Sequence, residues 1–135
     1  MRVGEVRDLS SAPSARALDH ELSLRADPKA TRVARHWVMR VAAGAGIGGT
    51  LNQVIEVLTG ELVADAMRLG GADRQVQVGV RFETHGVRVA VTGPGVHMPT
   101  QSTATSLALV EALANEWGTW PQPDGSRTVW FEVDT

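Results

Sequence analysis

Apolar residues recur along the first half of this chain with a helical period. Asp27-Pro28 is a typical helix start, because Asp caps the first turn and Pro fits the first helical position. The stripe that follows comprises Ala30, Val33, Ala34, Trp37, Val38 and Val41.

A second helix is predicted from Thr50, which forms a capping box with Gln53. Its stripe comprises Leu51, Val54, Ile55, Leu58, Leu62, Val63, Ala66 and Leu69. Gly60 interrupts this helix at a cost of about 1 kcal/mol relative to Ala unless close packing requires it.

After residue 74 apolar residues recur at every second position, which is typical of strands with one buried face. The alternating apolar positions are Val76, Val78, Val80 and Phe82, then Val87, Val89 and Val91. A turn at His85-Gly86 joins them into a predicted antiparallel hairpin. Short alternation over residues 21–25 predicts an earlier strand. A third helical stripe is closed by Gly118 and comprises Leu107, Val110, Leu113, Ala114 and Trp117. A last strand is predicted through Val129, Phe131 and Val133.

This order of elements predicts an α+β fold. Neighbouring strands joined by a short turn exclude a purely parallel sheet, and every apolar stripe is satisfied if helices cover one face of the sheet. We therefore expect a two-layer sandwich with a mixed, mostly antiparallel sheet over residues 21–135. Residues 1–20 are polar and are predicted to form a mobile arm. Trp130 falls on the strand face opposite Val129 and Phe131, and is predicted to mark a partner surface.

Composition narrows the classes of function. The chain has 135 residues, a formal net charge of −2 and no cysteine. Scattered charge of this size predicts no nucleic-acid or anionic-membrane binding, and thiolate chemistry is excluded. No apolar run approaches the roughly 20 residues that span a bilayer, so we expect a soluble, cytoplasmic protein. The four histidines show no metal-ligand spacing.

Three runs of sequence point to a known family. They are ELVADA at 61–66, TGPG at 92–95, and LALVEALANEWG at 107–118 followed by TVWFEVD at 128–134. In this order they resemble the anti-sigma-factor serine kinases of the GHKL (histidine-kinase-like) ATPase superfamily, especially small stand-alone actinobacterial ATP-binding proteins. The resemblance covers residues 21–134. It implies a fold that binds ATP with Mg²⁺ between the helices and a lid.

The resemblance also implies roles for residues of the second helix and the hairpin. Glu61 matches the family's catalytic glutamate, which orients or deprotonates the attacking hydroxyl. Asp65 stands where the family has a Mg²⁺-binding Asn, and a carboxylate oxygen is a suitable Mg²⁺ ligand. Gly93 and Gly95 match the first glycine-rich loop. Read without the family, Glu61 and Asp65 are the solvated side of an amphipathic helix, and Gly93 to Gly95 is a turn after a strand.

The chain departs from the family at the positions that contact the adenine base and the phosphates. Val91 stands where the family has an Asp that accepts a hydrogen bond from the amino group of adenine. Loss of this acceptor weakens nucleotide binding by about 1–3 kcal/mol, or roughly 5- to 150-fold in affinity. The family's second glycine box, just before the last helix, falls on Ala104, Thr105 and Ser106, followed by Leu107. Side chains there hinder the approach of backbone N–H groups to phosphates. The predicted lid, HMPTQSTAT, has no Lys or Arg.

The resemblance to the family, together with the altered nucleotide-binding positions, leaves three hypotheses for the function. The favoured hypothesis is a degenerate kinase, or pseudokinase, that regulates transcription by binding a sigma factor or a STAS-type anti-sigma antagonist, or by forming a homodimer. The second is an active serine kinase with Glu61 as base and Asp65 as metal ligand, using ATP and Mg²⁺. The third is a pocket that selects another nucleotide or small molecule, because Val91 makes it more apolar.

Overall fold

Three helices and five strands make up the part of the chain that the computed structural model describes, residues 19–68, 75–94 and 101–135, with the backbone alone for 101–106. The elements are β1 (His20–Arg25), α1 (Ala30–Gly44), α2 (Gly49–Arg68), β2 (Gln75–Glu83), β3 (Gly86–Pro94), α3 (Gln101–Leu113), β4 (Glu116–Pro121) and β5 (Ser126–Asp134). The predicted mobile arm at residues 1–20 lies outside the described residues except for its last two. None of the described helices is long and apolar enough to cross a membrane.

The described strands form one sheet in the order β1-β2-β3-β5-β4. Every neighbouring pair is antiparallel. The predicted α+β class is therefore confirmed, and the sheet has no parallel pair among these strands. The hairpin is also confirmed, with its turn at Thr84-His85 and with Gly86 already in β3.

The sheet has two faces that differ in their surroundings. The front face packs against the helices, and the register places Val78, Val91 and Val129 side by side in it. Val38 of α1, Ile55 and Leu58 of α2 and Val110 of α3 belong to the same buried cluster. The back face carries the alternate residues of the strands, among them Arg81, Arg88, Ala90, Trp120, Thr128 and Trp130.

The turn between α1 and α2 is held by a buried amide. The Nδ2 atom of Asn52 donates to the carbonyl oxygens of Ile47 at 2.8 Å and of Met39 at 3.1 Å. Met39 lies within α1 and Ile47 in the turn beyond it, so that one side chain of α2 joins both to its own helix. Further along α2, the side-chain stem of Arg35 lies against Gly60, so that a Cβ atom there would collide with it. Close packing of α1 on α2 therefore accounts for the glycine.

Two helix starts differ slightly from the prediction. Helix α1 begins at Ala30 rather than at Pro28. Asp27 still satisfies a backbone donor, because its Oδ1 accepts from the N–H of Lys29 at 2.7 Å. Helix α2 begins at Gly49, one residue before Thr50.

The prediction that the last helix extends to Trp117 is wrong. Helix α3 ends at Leu113, and Trp117 belongs to β4, where it faces the core and pairs with Phe131. Its indole Nε1 donates to Glu111 Oε1 at 2.7 Å, which ties β4 to α3. The spacing from Val110 to Trp117 is seven residues, which suits two helical turns as well as a helix followed by a strand.

Trp130 does lie on the face opposite Val129 and Phe131, but it is not exposed. Its side chain is buried on the back face, where it packs with Trp120 and Ala90 in a second apolar cluster. The two indole rings are tilted by 45° with centroids 6.2 Å apart. The expectation of a free aromatic partner surface at Trp130 is therefore wrong.

Gly118 of β4 allows Trp130 to lie flat on the sheet. A Cβ atom at Gly118 would stand 2.7 Å from Trp130 Nε1 and 2.9 Å from Cε2. We expect Gly118→Ala to lower the free energy of unfolding by about 1–3 kcal/mol, because a methyl group there overpacks a rigid ring. Urea denaturation measures the change.

The control for this prediction is Gly44→Ala at the end of α1, where an added Cβ meets nothing within 4 Å. Its free energy of unfolding should stay unchanged or rise slightly, since Ala is the better helix former. Equal midpoints for Gly118→Ala and the wild type would contradict the packing described here.

Candidate functional site

Helix α2 places the two predicted acidic residues one turn apart. Glu61 is half-buried, and Asp65 is 7% exposed. Residues four apart on a helix share one face. The interpretation of both residues as the solvated side of the helix is therefore wrong for Asp65, which is held inside the domain.

Asp65 is bound by a cation from its own helix. Arg68, the last described residue of α2, donates from Nη2 to Asp65 Oδ1. The side chain of Asp65 is 10% exposed, whereas that of Arg68 is 51% exposed. An arginine in the last turn also interacts favourably with the helix dipole. The carboxylate that the family comparison assigned to Mg²⁺ is thus neutralised within the protein.

Strand β3 passes directly beside this turn of α2. A Cβ atom at Gly93 would stand 2.8 Å from the Cβ of Ala66 and 3.5 Å from Cγ2 of Val76. Only glycine permits this approach without a shift of strand or helix. The structure therefore brings Gly93 next to the residue that follows Asp65, while Gly95 lies outside the described residues.

Val91 belongs to the core. It is 3% exposed and lies on the front face between Val78 of β2 and Val129 of β5. A row of three valines across neighbouring strands packs well on a pleated surface. This position offers no polar atom to a ligand.

The residues matched to the second glycine box lie within α3. Gln101 is the first residue of the helix, so Thr105 and Ser106 are already in its second turn. Amide groups beyond the first four residues of a helix bond to carbonyls of the preceding turn, and they are not available to phosphate. Ala104 is at the limit of the first turn. Leu107 is half-buried against the core.

A basic residue that the sequence analysis missed lies at the same end of the sheet. Arg127 of β5 is directly opposite Gly93 in the register and is half-buried. Its Nη1 donates to Thr119 Oγ1 of β4 at 3.2 Å. Because paired residues project to the same side of a sheet, the alternation from Val129 could have placed Arg127 on the front face.

These residues do not fit ATP and Mg²⁺ as the resemblance implies. The carboxylate of Asp65 is engaged by Arg68, and Val91 has no acceptor for an adenine amine. Within residues 19–68, 75–94 and 101–135, no group of three or more His, Cys, Asp or Glu side chains is arranged to hold a metal ion. Among the described residues, Asp65 and Val91 are therefore engaged in contacts of the fold itself.

Comparison with known proteins supports the fold. No protein-family model and no curated protein sequence matches the chain. Among solved structures, the chain is similar to one from the SiaB–SiaC complex of Pseudomonas aeruginosa, with a TM-score of 0.57 and 7% identity over 90% of this chain and 93% of that one. It is also similar to the nucleotide-free catalytic domain of the histidine kinase ThkA, with a TM-score of 0.52 and 13% identity over 85% of this chain and 97% of that one. A second crystal form of ThkA gives a TM-score of 0.51. The chain therefore shares the fold of these neighbours, with helices on one face of an antiparallel sheet.

The pairing of Asp65 with Arg68 can be measured by a double-mutant cycle. We expect Arg68→Gln to lower the free energy of unfolding by about 1 kcal/mol, a modest value because the guanidinium is half exposed. In an Asp65→Asn background the same change should have almost no effect, since the buried charge is gone. Chemical denaturation of the four proteins gives the coupling energy.

Arg40→Gln is the matched control, because Arg40 is an exposed residue of α1. It should leave the unfolding free energy nearly unchanged in both backgrounds. A coupling energy of zero between residues 65 and 68 would show that the ion pair contributes nothing in solution.

Proposed function

We propose that this chain is a regulatory domain that uses a kinase-like fold to bind another protein and transfers no phosphate. The resemblance to anti-sigma-factor serine kinases and the fold shared with GHKL kinases support the kinase-like part of the proposal. The engagement of Val91 and Asp65 in contacts of the fold itself supports the rest. In this proposal the domain is a cytoplasmic pseudokinase in transcriptional control.

One observation carries the proposal. The two positions that should read the nucleotide and its metal, Val91 and Asp65, are both engaged in contacts of the fold itself. Val91 completes a row of core valines, and Asp65 is paired with Arg68. A buried group that already has its partners gains little from a ligand, because binding has to break those contacts first.

The nature of the partner is proposed from the comparison. The neighbour from Pseudomonas aeruginosa was crystallised as a complex of two proteins, SiaB and SiaC. By analogy we propose that this chain binds a STAS-type anti-sigma antagonist. A sigma factor is the alternative partner, and a homodimer is the alternative assembly. Fold alone does not fix function, so the partner has to be tested directly.

A working ATP-dependent kinase is the second candidate. Glu61 and Asp65 share one face of α2, Gly93 brings β3 against that helix, and Arg127 places a cation at the same end of the sheet. In this reading Asp65 would hold Mg²⁺ in place of Arg68, and Glu61 would act as the base. The two candidate functions predict different results for the binding of ATP and Mg²⁺.

Titration calorimetry with ATP and Mg²⁺, repeated with ADP, separates the candidates. We expect no detectable heat and no shift in melting temperature at millimolar nucleotide, because the adenine acceptor is missing and Asp65 is occupied. Binding tighter than about 100 μM that is weakened in Asp65→Ala would instead support the kinase. Phosphotransfer that is lost in Glu61→Ala would confirm it.

Binding to a purified partner tests the regulatory role. We expect a STAS-type antagonist recovered by cross-linking in cells to bind the purified chain, with an affinity unchanged by ATP or by Glu61→Ala. Calorimetry with the purified pair measures both effects. Binding that appears only with ATP would contradict a nucleotide-independent regulator. Failure of STAS-type proteins and sigma factors alike to bind would contradict the assigned partner class.

A further inference from the structure

Helix α1 and the residue before it carry a line of basic side chains on the solvent side. This basic stripe comprises Lys29, Arg32, His36 and Arg40, all of them exposed. Spacings of three and four residues place them on one face of the helix, over a length of about 16 Å. No acidic residue occurs in the sequence between Asp27 and Glu56. The basic stripe is therefore a local concentration of positive charge on a chain whose formal net charge is −2.

The two acids that border this part of the sequence are engaged elsewhere. The Oδ1 atom of Asp27 accepts from the backbone N–H of Lys29 at 2.7 Å. Glu56 of α2 lies 4.0 Å from Arg35, which is not part of the basic stripe. Among the residues that the structure describes, no carboxylate forms an ion pair with a side chain of the stripe. Its cations are therefore free to pair with an anion from outside.

The charges of the basic stripe oppose the stability of the helix that carries them. Lys29 is the N-cap residue of α1 and Arg32 lies in the first turn, where the helix dipole disfavours cations. The first turn contains no acidic residue and the last turn no basic residue, which is the reverse of the stabilising arrangement. Cations three or four residues apart on a helix also repel each other. A local arrangement that costs stability without an internal gain is typical of a functional surface.

The basic stripe also includes an exposed apolar side chain. Val33 is 46% exposed, and it lies four residues after Lys29 and three before His36, on the same face of the helix. The opposite side of α1 is buried in the core through Ala34 and Val38. An occupant of the exposed face therefore has to bring anionic groups and an apolar contact to the same narrow surface.

These features favour an acidic protein surface over a membrane or a nucleic acid. An amphipathic helix binds a membrane through its apolar side, which α1 buries within the domain. Attraction to a polyanion depends on the charge of the whole domain, which is negative. A partner helix with Asp or Glu at the spacing of the stripe complements its length and charge. An arginine of the stripe can also pair with a carboxylate through two parallel hydrogen bonds.

We propose that the outer face of α1, from Lys29 to Arg40, is the docking surface for an acidic amphipathic helix of a partner protein. Arg32 and Arg40 pair with carboxylates of that helix, and Val33 packs against an apolar residue between them. The inference rests on the proposed function, which assigns a protein partner to this chain. It adds where the partner docks and which chemistry the partner presents.

The cost of the basic stripe to the fold is measured in the isolated chain. Arg32→Glu should raise the melting temperature by about 1–4 °C, because a carboxylate in the first turn interacts favourably with the helix dipole. Arg25→Glu is the matched control, which should leave the melting temperature unchanged. Arg25 is also exposed, but it follows the core residue Leu24 in β1 and therefore projects to the other side of the sheet. An unchanged or lower melting temperature for Arg32→Glu would contradict a functional origin of the stripe.

Calorimetry with a purified partner decides whether the basic stripe binds it. With the STAS-type antagonist or the sigma factor that binds the wild-type chain, we expect Arg32→Glu to weaken the affinity by at least about tenfold. Arg25→Glu should leave the affinity within about twofold of the wild type, since it makes the same change of charge elsewhere. Replacement of one partner carboxylate by Arg should restore binding to Arg32→Glu. Equal affinities for the wild type and Arg32→Glu would overturn the docking surface and leave the proposed function standing.

The single lysine of the chain gives an independent readout. Lys29 is the only lysine, and a carbodiimide joins its amine to a carboxylate that lies in contact with it, with loss of water. Mass spectrometry of the treated complex should identify an amide between Lys29 Nζ and an Asp or Glu of the partner, and this link should be absent in Lys29→Arg. Links from the partner's carboxylates to the N-terminal amine but never to Lys29 would contradict the proposal.

Other occupants of the basic stripe are tested with defined probes. Vesicles that contain phosphatidylserine and a short DNA duplex, both at physiological ionic strength, should not bind the chain. Binding of either probe that is lost in Arg32→Glu would assign the stripe to phosphate groups and overturn the proposal. A dimer of the isolated chain that is lost in Arg32→Glu would assign it to a second copy. Binding of no protein partner at all would contradict the proposed function and, with it, this inference.

Discussion

The pairing of β3 between β2 and β5 is the constraint on which the rest of the structure depends. Because side chains alternate along a strand, this register fixes at once which residues face the helices and which face away. It puts Val91 in the core, Gly93 against α2 and Arg127 opposite Gly93. A slip by one residue would exchange the valine row for Arg88, Ala90 and Thr92.

The same register supplies the contacts that the fold needs, independently of any ligand. The features that the fold needs are apolar rows, a close approach at Gly93 and the buried amide of Asn52, and all of them are present. The features that a ligand needs are polar groups left without internal partners. The carboxylate of Asp65 is paired with Arg68, and the side chain of Val91 is a buried hydrocarbon.

Much of this fold could be predicted from the sequence, because a valine alternation as regular as that of β2 and β3 has no helical counterpart. The length of α3 was mispredicted, since Trp117 suits a helical stripe and a following strand equally well. Contacts between elements that are distant in the sequence could not be predicted. The contact of Arg35 with Gly60 depends on the packing of α1 against α2. The position of Arg127 opposite Gly93 and that of Trp130 opposite Gly118 depend on sheet order. Periodicity determines neither. The ion pair of Asp65 with Arg68 is local, and its spacing of three residues was a signal that could have been used.

The burial of Val91 has an evolutionary consequence. A change of Val91 to aspartate would introduce a charge between Val78 and Val129, and an unpaired carboxylate in an apolar core is strongly unfavourable. A single substitution toward a polar group at this position is therefore uphill for the fold. Selection for stability alone is sufficient to retain a hydrocarbon side chain here.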